Sequence, residues 1–446
     1  MALSGIQIYK LLPKTNCKEC GFPTCLAFAM KLAAKQVELS ACPYVTEESK
    51  AELAESSAPP IRLVAIKSNG NEVKAGNEVV LFRHDKTFYN KPGFFIRVKD
   101  SLPIDDIKKI VSEVDAYAVN YVGVDLTVDG FAVASAVGDP GAFAAAVQAV
   151  RSVTKRPIIL MSRDINIIKA GLNELKDETP LIYGADTQNW ESFADLAKEH
   201  QSPLGIISAS LEELSQMTDQ IKAKGVDDLV IDPGGRDLSS GLAIGTSIRR
   251  LAIKKNFHAL GFPIIAFPGD AGEPEMELIH TAQAIAKYAG FIVLDHFTPA
   301  KIYPLLVLRQ NIYTDPQKPI QVQPGIYEIN APKPEDPVLV TTNFSITYFS
   351  VANEVEGSGL PAWLLVADAE GMSVLTAWAA GKFDAERIAK SVKAFNVADK
   401  VTRKRIILPG HVAVLSGELE EELPDWEIRV GPREAVDLPA FMKQAL

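Results

Sequence analysis

The chain has 446 residues, of which 47% are hydrophobic and 23% are charged, a usage typical of globular proteins. Its net charge of -10 and the lack of a basic stripe argue against a nucleic-acid-binding protein. No apolar run reaches the ~18 residues that a membrane-spanning helix needs, and the first residues lack the apolar core of a signal peptide. We therefore expect a cytoplasmic protein of about three domains.

The first candidate site is a group of cysteines spaced C-x2-C-x4-C-x16-C. Four thiolates suit an iron–sulfur cluster, a zinc ion or two disulfides. Zinc ribbons usually pair two C-x2-C knuckles and only one is present, and nothing indicates an oxidising compartment, so the spacing favours a cluster. About 11 helical residues rise ~16 Å, and seven extended residues span ~23 Å, so the chain can return to the site. The candidate ligands are Cys17, Cys20, Cys25 and Cys42.

Residues 46–60 are polar and end in two prolines, which indicates a connector after the cluster module. We place this module and its linker at 1–57. Next, Ile61–Lys67 and Asn77–Phe82 are predicted strands on either side of an Asn-Gly turn signal, and they are expected to cover one end of a larger domain.

From residue 94 onward, short apolar strands alternate with helical segments. Near-continuous apolar runs are typical of buried parallel strands. Eight β-then-α units predict a TIM barrel over residues 58–315, and an open doubly wound sheet is the alternative. The strands are expected to start near Phe94, Val122, Pro157, Pro180, Leu204, Asp228, Pro263 and Phe291.

Polar residues follow many of these strands, on the face where barrels build their active sites. The same residue types cap helices, and we favour that interpretation. The segment 232–241, DPGGRDLSSG, can face a phosphate but is more often a plain loop. No G-x-G-x-x-G or Walker sequence follows a strand. The residues are Asp100, Asp125, Ser162, Asp164, Asp186, Asp232, Asp270, Asp295 and His296.

Residues 316–336 contain prolines and turn signals, which predicts a second linker. Beyond it, residues 337–446 form a predicted doubly wound, Rossmann-like α/β domain with four strands, at 338–343, 362–368, 405–410 and 426–431. Ligands in such sheets bind at the carboxyl ends of the strands, near the topological switch point. Those ends are rich in Gly and Thr, which allow close backbone approach and hydrogen bonding.

The sequence resembles a known family. The stretch LPKTNCKECGFPTCLAFA…ACPY is similar to the four-cysteine module of the large (gamma) subunit of corrinoid iron–sulfur proteins, and related modules occur in electron-transport complexes. The stretch TTNFSITYFSVANEVE…PAWLLVADAEGMSVLTAWAAGKF resembles the corrinoid-binding domain of that subunit. The order of cluster module, barrel and small α/β domain is also similar, so the resemblance covers essentially the whole chain.

The resemblance implies a subunit that carries a methyl group on cobalt in the reductive acetyl-CoA (Wood–Ljungdahl) pathway. In this family a methyltetrahydrofolate methyltransferase methylates Co(I), acetyl-CoA synthase takes the methyl group, and a [4Fe-4S] cluster reduces stray Co(II). The implied partners are the small subunit in a heterodimer, that methyltransferase, CO dehydrogenase/acetyl-CoA synthase and a low-potential electron donor. The chain is then a carrier subunit of a transferase system, without catalytic residues of its own.

Corrinoid contacts are expected from strand-end position and from the resemblance. None of the six histidines lies in an Asp-x-His-x-x-Gly motif, so we expect a base-off, cobalamin-type corrinoid without a protein histidine ligand. Thr376 is a candidate near the lower face of the corrinoid, and His411 is a polar contact or a surface residue. The predicted contacts are Thr341, Thr342, Asn343, Thr347, Gly371, Met372, Ser373, Val374, Leu375, Thr376, Ala377, Gly410, His411, Ala413, Gly431, Pro432 and Arg433.

Two other functions stay open. The chain can be a low-potential iron–sulfur electron-transfer or activating protein that binds no corrinoid. It can also be a barrel enzyme with a folate-type substrate, using Asp residues at the strand ends as bases. A bound corrinoid separates the carrier from the first alternative, and methyltetrahydrofolate binding to the isolated chain would favour the second.

Overall fold

The computed structural model describes residues 5–33, 36–46, 49–50, 53, 59–86, 88–121, 124–315 and 320–445. The chain divides into two compact units. One contains residues 1–117 and 128–313, and the other contains residues 118–127 and 314–446. Most of the predicted connector at 46–60 lies outside the described residues, as do residues 316–319 of the second predicted linker.

The N-terminal module contains two short helices, α1 (Gly5–Leu11) and α2 (Cys25–Ala33). They share a small apolar core with Ile8 and Phe28 at its centre. The α2 helix begins at a predicted ligand because Thr24 caps it, accepting the N–H of Ala27 at 3.1 Å.

A hairpin of β1 (Val64–Ser68) and β2 (Asn71–Ala75) follows. Its apolar side chains join the core inside the barrel, so the prediction that this segment covers one end of a larger domain is confirmed. The prediction of a strand at Asn77–Phe82 is wrong. The turn needs only Asn69 and Gly70, both with positive φ, so the second strand starts at once and ends before Gly76, where φ is again positive.

Eight parallel strands close into a barrel in the order β10-β11-β12-β3-β6-β7-β8-β9. The predicted barrel is confirmed, and the open sheet is excluded. In chain order the elements are β3 (Gly93–Lys99), α3 (Ile104–Asp115), β4 (Ala118–Tyr121), β5 (Val124–Thr127), β6 (Gly130–Ala134), α4 (Pro140–Val153), β7 (Ile158–Met161), α5 (Ile165–Asn173), β8 (Leu181–Ala185), α6 (Trp190–Glu199), β9 (Leu204–Ile207), α7 (Leu211–Ala223), β10 (Leu229–Asp232), α8 (Leu238–Lys255), β11 (Ile264–Ala266), α9 (Pro274–Ala286), β12 (Ala289–Leu294) and α10 (Pro299–Ile312).

The second barrel strand is not where the sequence predicts it. The segment near Val122 lies partly outside the described residues, and its remainder forms β5, which pairs with β4 in a two-stranded hairpin. The barrel strand is β6, whose first four residues are buried. A Cβ on Gly130 would lie 2.3 Å from the Pro157 carbonyl oxygen, so this strand needs a glycine to pack beside its neighbour.

A buried ion pair holds the segment after β2 against helix α8. Arg249 Nη2 lies 3.1 Å from Glu78 Oε2, and the side chains are only 4% and 8% exposed. The guanidinium also donates to the Val80 carbonyl oxygen at 2.7 Å and lies over the Tyr288 ring. Burial raises the pKa of Glu78, so its negative charge depends on Arg249.

Replacing Arg249 with methionine is expected to reduce the free energy of unfolding by about 3–5 kcal/mol, because Glu78 is then buried without its charge partner. Urea denaturation of the full chain measures the loss. The double variant Glu78→Gln/Arg249→Met is the control and should recover most of the stability, since it leaves no buried charge. A single-variant loss of less than about 1 kcal/mol would show that the pair contributes little.

The second unit contains a five-stranded sheet in the order β13-β15-β14-β16-β17. Strands β14 to β17 are parallel, and β13 is antiparallel to β15. Its elements are β13 (Gly325–Ile329), β14 (Val338–Thr342), α11 (Ser345–Ser358), β15 (Ala362–Ala367), α12 (Val374–Ala379), α13 (Ala385–Ala394), α14 (Val397–Lys400), β16 (Arg405–Leu408), α15 (Ser416–Glu422), β17 (Glu427–Val430) and α16 (Leu438–Ala445).

Alternate residues of these strands face two separate apolar cores. Val338 and Val340 point to a core shared with helices α12 and α13, whereas Leu339 points to a core shared with α11 and α16. Helices therefore cover both faces of a mainly parallel sheet. Tyr121 of the β4–β5 hairpin packs against the second of these cores.

The prediction of a second linker is wrong in part. Residues 325–329 of the segment 316–336 form β13, which pairs along its whole length with β15, from Gly325 with Val366 to Ile329 with Ala362. The sheet therefore has five strands and not the predicted four. Flanking prolines make this edge strand look like a linker in the sequence. No helix in the described part of the chain is long and apolar enough to cross a membrane.

Candidate functional site

A cavity opens at the carboxyl ends of β14 and β16. These strands pair only at Val338 with Ile406 and at Leu339 with Ile407. The cavity lies beyond that point, and its volume is about 960 Å³, part of which is open to solvent. Helix α11 follows β14 on one face and α12 follows β15 on the other, so the cavity lies at the topological switch point, where such sheets bind ligands.

About half of the predicted corrinoid contacts line this cavity. They come from β14, from the first turns of α11 and α12, and from the loops after β16 and β17. The cavity therefore brings together predicted residues from four separate strand ends. The lining residues among the predicted contacts are Thr341, Thr347, Ser373, Val374, Leu375, His411, Gly431, Pro432 and Arg433.

The other predicted contacts do not line the cavity. Gly410 has a backbone role, because a Cβ there would lie 2.6 Å from the Gly431 carbonyl oxygen. The Thr376 hydroxyl forms a hydrogen bond with the Ser373 hydroxyl at 2.9 Å. Asn343 is buried, and its side-chain oxygen accepts hydrogen bonds from two backbone N–H groups of a loop. The predicted contacts outside the lining are Thr342, Asn343, Gly371, Met372, Thr376, Ala377, Gly410 and Ala413.

Several lining residues were missed by the sequence reasoning. Ser350 and Val351 lie one turn after Thr347 on α11, so the 3.6-residue period of that helix was the available signal. The loop after β17 adds Glu434, whose Oε1 lies 3.8 Å from His411 Nε2. The missed lining residues include Ile346, Ser350, Val351, Pro409, Glu434, Ala435 and Leu438.

One wall of the cavity contains a buried hydroxyl group that lacks a hydrogen-bond partner within the described residues. Thr341 is fully buried, and its hydroxyl oxygen has no partner within the described residues. The same is true of the neighbouring Thr342. Buried hydroxyls nearly always pair in native proteins. Since Thr341 lines the cavity, a polar group of a bound molecule would satisfy it, and the wall fits a ligand with hydrogen-bonding groups.

The cysteines lie in and around the small N-terminal core. Cys25 and Cys42 are buried, Cys20 packs against the same core, and Cys17 is exposed. Asn16 holds the first turn of α2, because its side-chain oxygen accepts the Cys25 N–H at 2.8 Å while its own N–H donates to Cys25 Sγ at 3.4 Å. An N–H directed at a ligand sulfur is one of the interactions that tune cluster potentials.

The loop before α2 has left-handed backbone at Lys18 and Gly21, so it turns tightly between the cysteines. Across the described ranges, however, the structure does not gather three or more His, Cys, Asp or Glu side chains in an arrangement that could hold a metal ion. The donor set of four thiolates fits an iron–sulfur cluster. Such small modules commonly take their final ligand arrangement together with the metal.

A chain of ion pairs crosses the carboxyl-end face of the barrel. Arg97 donates to both oxygens of Asp295, at 2.6 and 2.7 Å, and to Asp270 at 2.8 Å. Arg236 joins the other oxygen of Asp270, at 3.0 Å, to Asp232, at 2.8 and 2.7 Å. All three carboxylates are thus bound by arginines, which disfavours a role for them as catalytic bases.

Other strand-end residues cap helices, as we favoured. Asp164 accepts the N–H of Asn166 at 2.8 Å at the start of α5. In the glycine-rich segment 232–241, the Asp237 carboxylate accepts the N–H groups of Ser239 and Ser240 at 3.0 and 2.9 Å. The N-terminus of α8 is thus capped by its own carboxylate, which disfavours a phosphate there.

Comparisons with known proteins agree with this architecture. A family model for the CO dehydrogenase/acetyl-CoA synthase delta subunit matches residues 63–442, and an iron–sulfur family model matches residues 12–44. The corrinoid/iron-sulfur protein large subunit of Moorella thermoacetica is 45% identical over 446 residues, which is 100% of both chains. The acetyl-CoA decarbonylase/synthase complex subunit gamma of Archaeoglobus fulgidus is 35% identical and covers 99% of this chain and 98% of that one.

A solved dihydropteroate synthase from Thermus thermophilus is 14% identical, with a TM-score of 0.39, and covers 56% of this chain and 99% of that chain.

A cysteine module, a barrel and a small α/β domain in one chain define a multidomain protein. The model that matches the barrel and the α/β domain is named for delta subunits, whereas the full-length relatives, which include the cysteine module, are large and gamma subunits. The chain belongs to the family of corrinoid/iron–sulfur protein large subunits and acetyl-CoA decarbonylase/synthase gamma subunits. The resemblance drawn from the sequence is confirmed.

Proposed function

We propose that this chain is the methyl-carrying subunit of a corrinoid iron–sulfur protein. It binds a corrinoid in the cavity between β14 and β16 and passes a methyl group from a methyltetrahydrofolate-dependent methyltransferase to acetyl-CoA synthase. The observation that carries the proposal is the cavity at the switch point, with the unpaired Thr341 hydroxyl in its wall. A 45% identical relative is named as a corrinoid protein large subunit.

A bound corrinoid supplies the cobalt that accepts and releases the methyl group. The residues of this chain bind and orient it. Ile346, Val374 and Leu375 give the cavity an apolar surface for a flat macrocycle, and the hydroxyls of Thr341 and Thr347 offer hydrogen bonds. We propose a base-off cofactor without a histidine ligand, because His411 lies at the wall outside any Asp-x-His-x-x-Gly motif.

The four cysteines are proposed to hold a [4Fe-4S] cluster, which supplies the electron that returns Co(II) to Co(I). The support is the spacing of Cys17, Cys20, Cys25 and Cys42, all inside the segment that matches an iron–sulfur family. The proposed partners are the small subunit, the methyltransferase, CO dehydrogenase/acetyl-CoA synthase and a low-potential electron donor. The proposed modules are 1–57, 58–315 and 337–446, the last extended by β13.

The two alternatives have less support. If the chain were an electron-transfer protein without a corrinoid, the cavity would have no function. A folate-dependent barrel enzyme needs a base at the barrel face, and three of the candidate bases, the carboxylates of Asp232, Asp270 and Asp295, are bound by arginines.

A methylation assay separates the three functions. The full chain with its small subunit is loaded with corrinoid, reduced and mixed with methyltetrahydrofolate. We expect the corrinoid absorption spectrum to change to the methylated form only when the methyltransferase is added. Folate binding and turnover without the methyltransferase would favour a barrel enzyme, and a chain that takes up no corrinoid would favour electron transfer.

A further inference from the structure

The side chain of Asn343 connects three parts of the second unit. This residue follows β14 and is 1% exposed. Its Oδ1 accepts the N–H groups of Ala369 and Gly371, both at 2.9 Å. Its Nδ2 donates to Asp368 Oδ1 at 3.1 Å and to Gln321 Oε1 at 3.2 Å. Both N–H groups and both lone pairs of the amide are therefore used.

The loop held in this way leads directly into the wall of the cavity. Residues 368–373 join β15 to α12, and two of them, Glu370 and Gly371, have positive φ values of 54° and 74°. The last residue of the loop, Ser373, and the first residue of α12, Val374, line the cavity. The position of this loop therefore sets where α12 begins and how that wall is placed.

Gln321 supports the same loop from the other side. A Cβ on Gly371 would lie 2.6 Å from both Cγ and Nε2 of Gln321, so the glutamine side chain lies directly on the loop backbone. The glutamine is fixed along the end of β14, because it forms a bridge with Phe344 and the next N–H, of Val322, donates to the Asn343 carbonyl oxygen at 2.9 Å.

We propose that Gln321 and Asn343 are positioning residues of the corrinoid site, and that they couple the segment preceding β13 to the cavity wall. The inference rests on the proposed function. A displacement of Gln321 must break its bond to Asn343 or move the loop at Gly371. The segment preceding β13 is thereby linked to the shape of the cavity, although neither residue lines it.

The test uses the full chain with its small subunit and the variant Gln321→Ala. Hydrogen exchange of the apo protein should be about fivefold faster at the amides of Ala369 and Gly371, as for the loss of one supporting hydrogen bond. The dissociation constant of the corrinoid should rise about five- to tenfold. A double-mutant cycle with Gly371→Ala should be non-additive, because the smaller side chain at 321 makes room for the new methyl group.

Asn330→Ala is the matched control. Asn330 donates to the carbonyl oxygens of Val355, Glu356 and Leu360 at the far end of α11, so its loss should lower stability without changing loop exchange or corrinoid affinity. Wild-type affinity and loop exchange in Gln321→Ala would overturn the inference while leaving the proposed function intact. A wild-type chain that binds no corrinoid would overturn both.

Discussion

Cys20→Ala is expected to lose most of its iron and acid-labile sulfide while its corrinoid content stays near that of the wild type. A cubane cluster is held by four thiolates, so losing one ligand opens the site. The proposed cluster ligands lie between residues 17 and 42, whereas the described residues that line the cavity lie between 339 and 438, so the two cofactors should load independently. Iron, sulfide and cobalt are measured after anaerobic purification, together with the absorbance of the cluster.

Thr24→Ala is the control for this experiment. Thr24 lies beside Cys25 and caps α2 through the N–H of Ala27, but its hydroxyl is not a predicted ligand. This variant should lower the stability of the module by about 1 kcal/mol and keep its iron. Unchanged iron and sulfide in Cys20→Ala would remove Cys20 from the ligand set. A parallel loss of corrinoid would contradict the independence of the two sites.

Thr347→Phe is expected to weaken corrinoid binding by about 10- to 100-fold. The half-buried Thr347 lines the cavity from the first turn of α11. A phenyl ring fills space that the macrocycle needs, and overpacking costs about 1–3 kcal/mol, where each 1.4 kcal/mol is tenfold in affinity. Anaerobic titration of the apo heterodimer with a corrinoid, followed by absorbance, gives the dissociation constant.

Asn353→Phe places the same ring on the same helix, at an exposed position that does not line the cavity. It should bind corrinoid like the wild type, and both variants should keep the iron content of the N-terminal module. Wild-type corrinoid affinity in Thr347→Phe would show that the cofactor binds elsewhere. Equal losses in both variants would indicate a general effect on the fold of the domain.

Local signals were sufficient for much of this molecule. The alternation of apolar strands with helical segments and the Asn69-Gly70 turn depend on neighbours in sequence, and they correctly predicted the barrel and its end cover. Four strand ends of the C-terminal domain were also located well enough to name residues such as Thr341 and Ser373 in the cavity wall.

The errors arose where the structure of a segment depends on which strand it pairs with. Strand β13 is an edge strand that pairs with β15, more than thirty residues away, so its flanking prolines suggested a linker. The segment near Val122 looks like a barrel strand, but its partner is the adjacent β4. Asn343 ends a strand and stays a predicted ligand contact, but no sequence pattern shows the hydrogen bonds that its side chain makes with Gln321 and residues 368–371.

The central claim is that one chain holds both a cluster and a corrinoid. The most direct test is an anaerobic electron paramagnetic resonance and ultraviolet–visible spectrum of the protein purified with its small subunit, before and after reduction. We expect a base-off Co(II) signal before reduction and the signal of a reduced [4Fe-4S] cluster after it. A reducible cluster without any cobalt, in material that was never unfolded, would contradict the carrier function and indicate an electron-transfer protein.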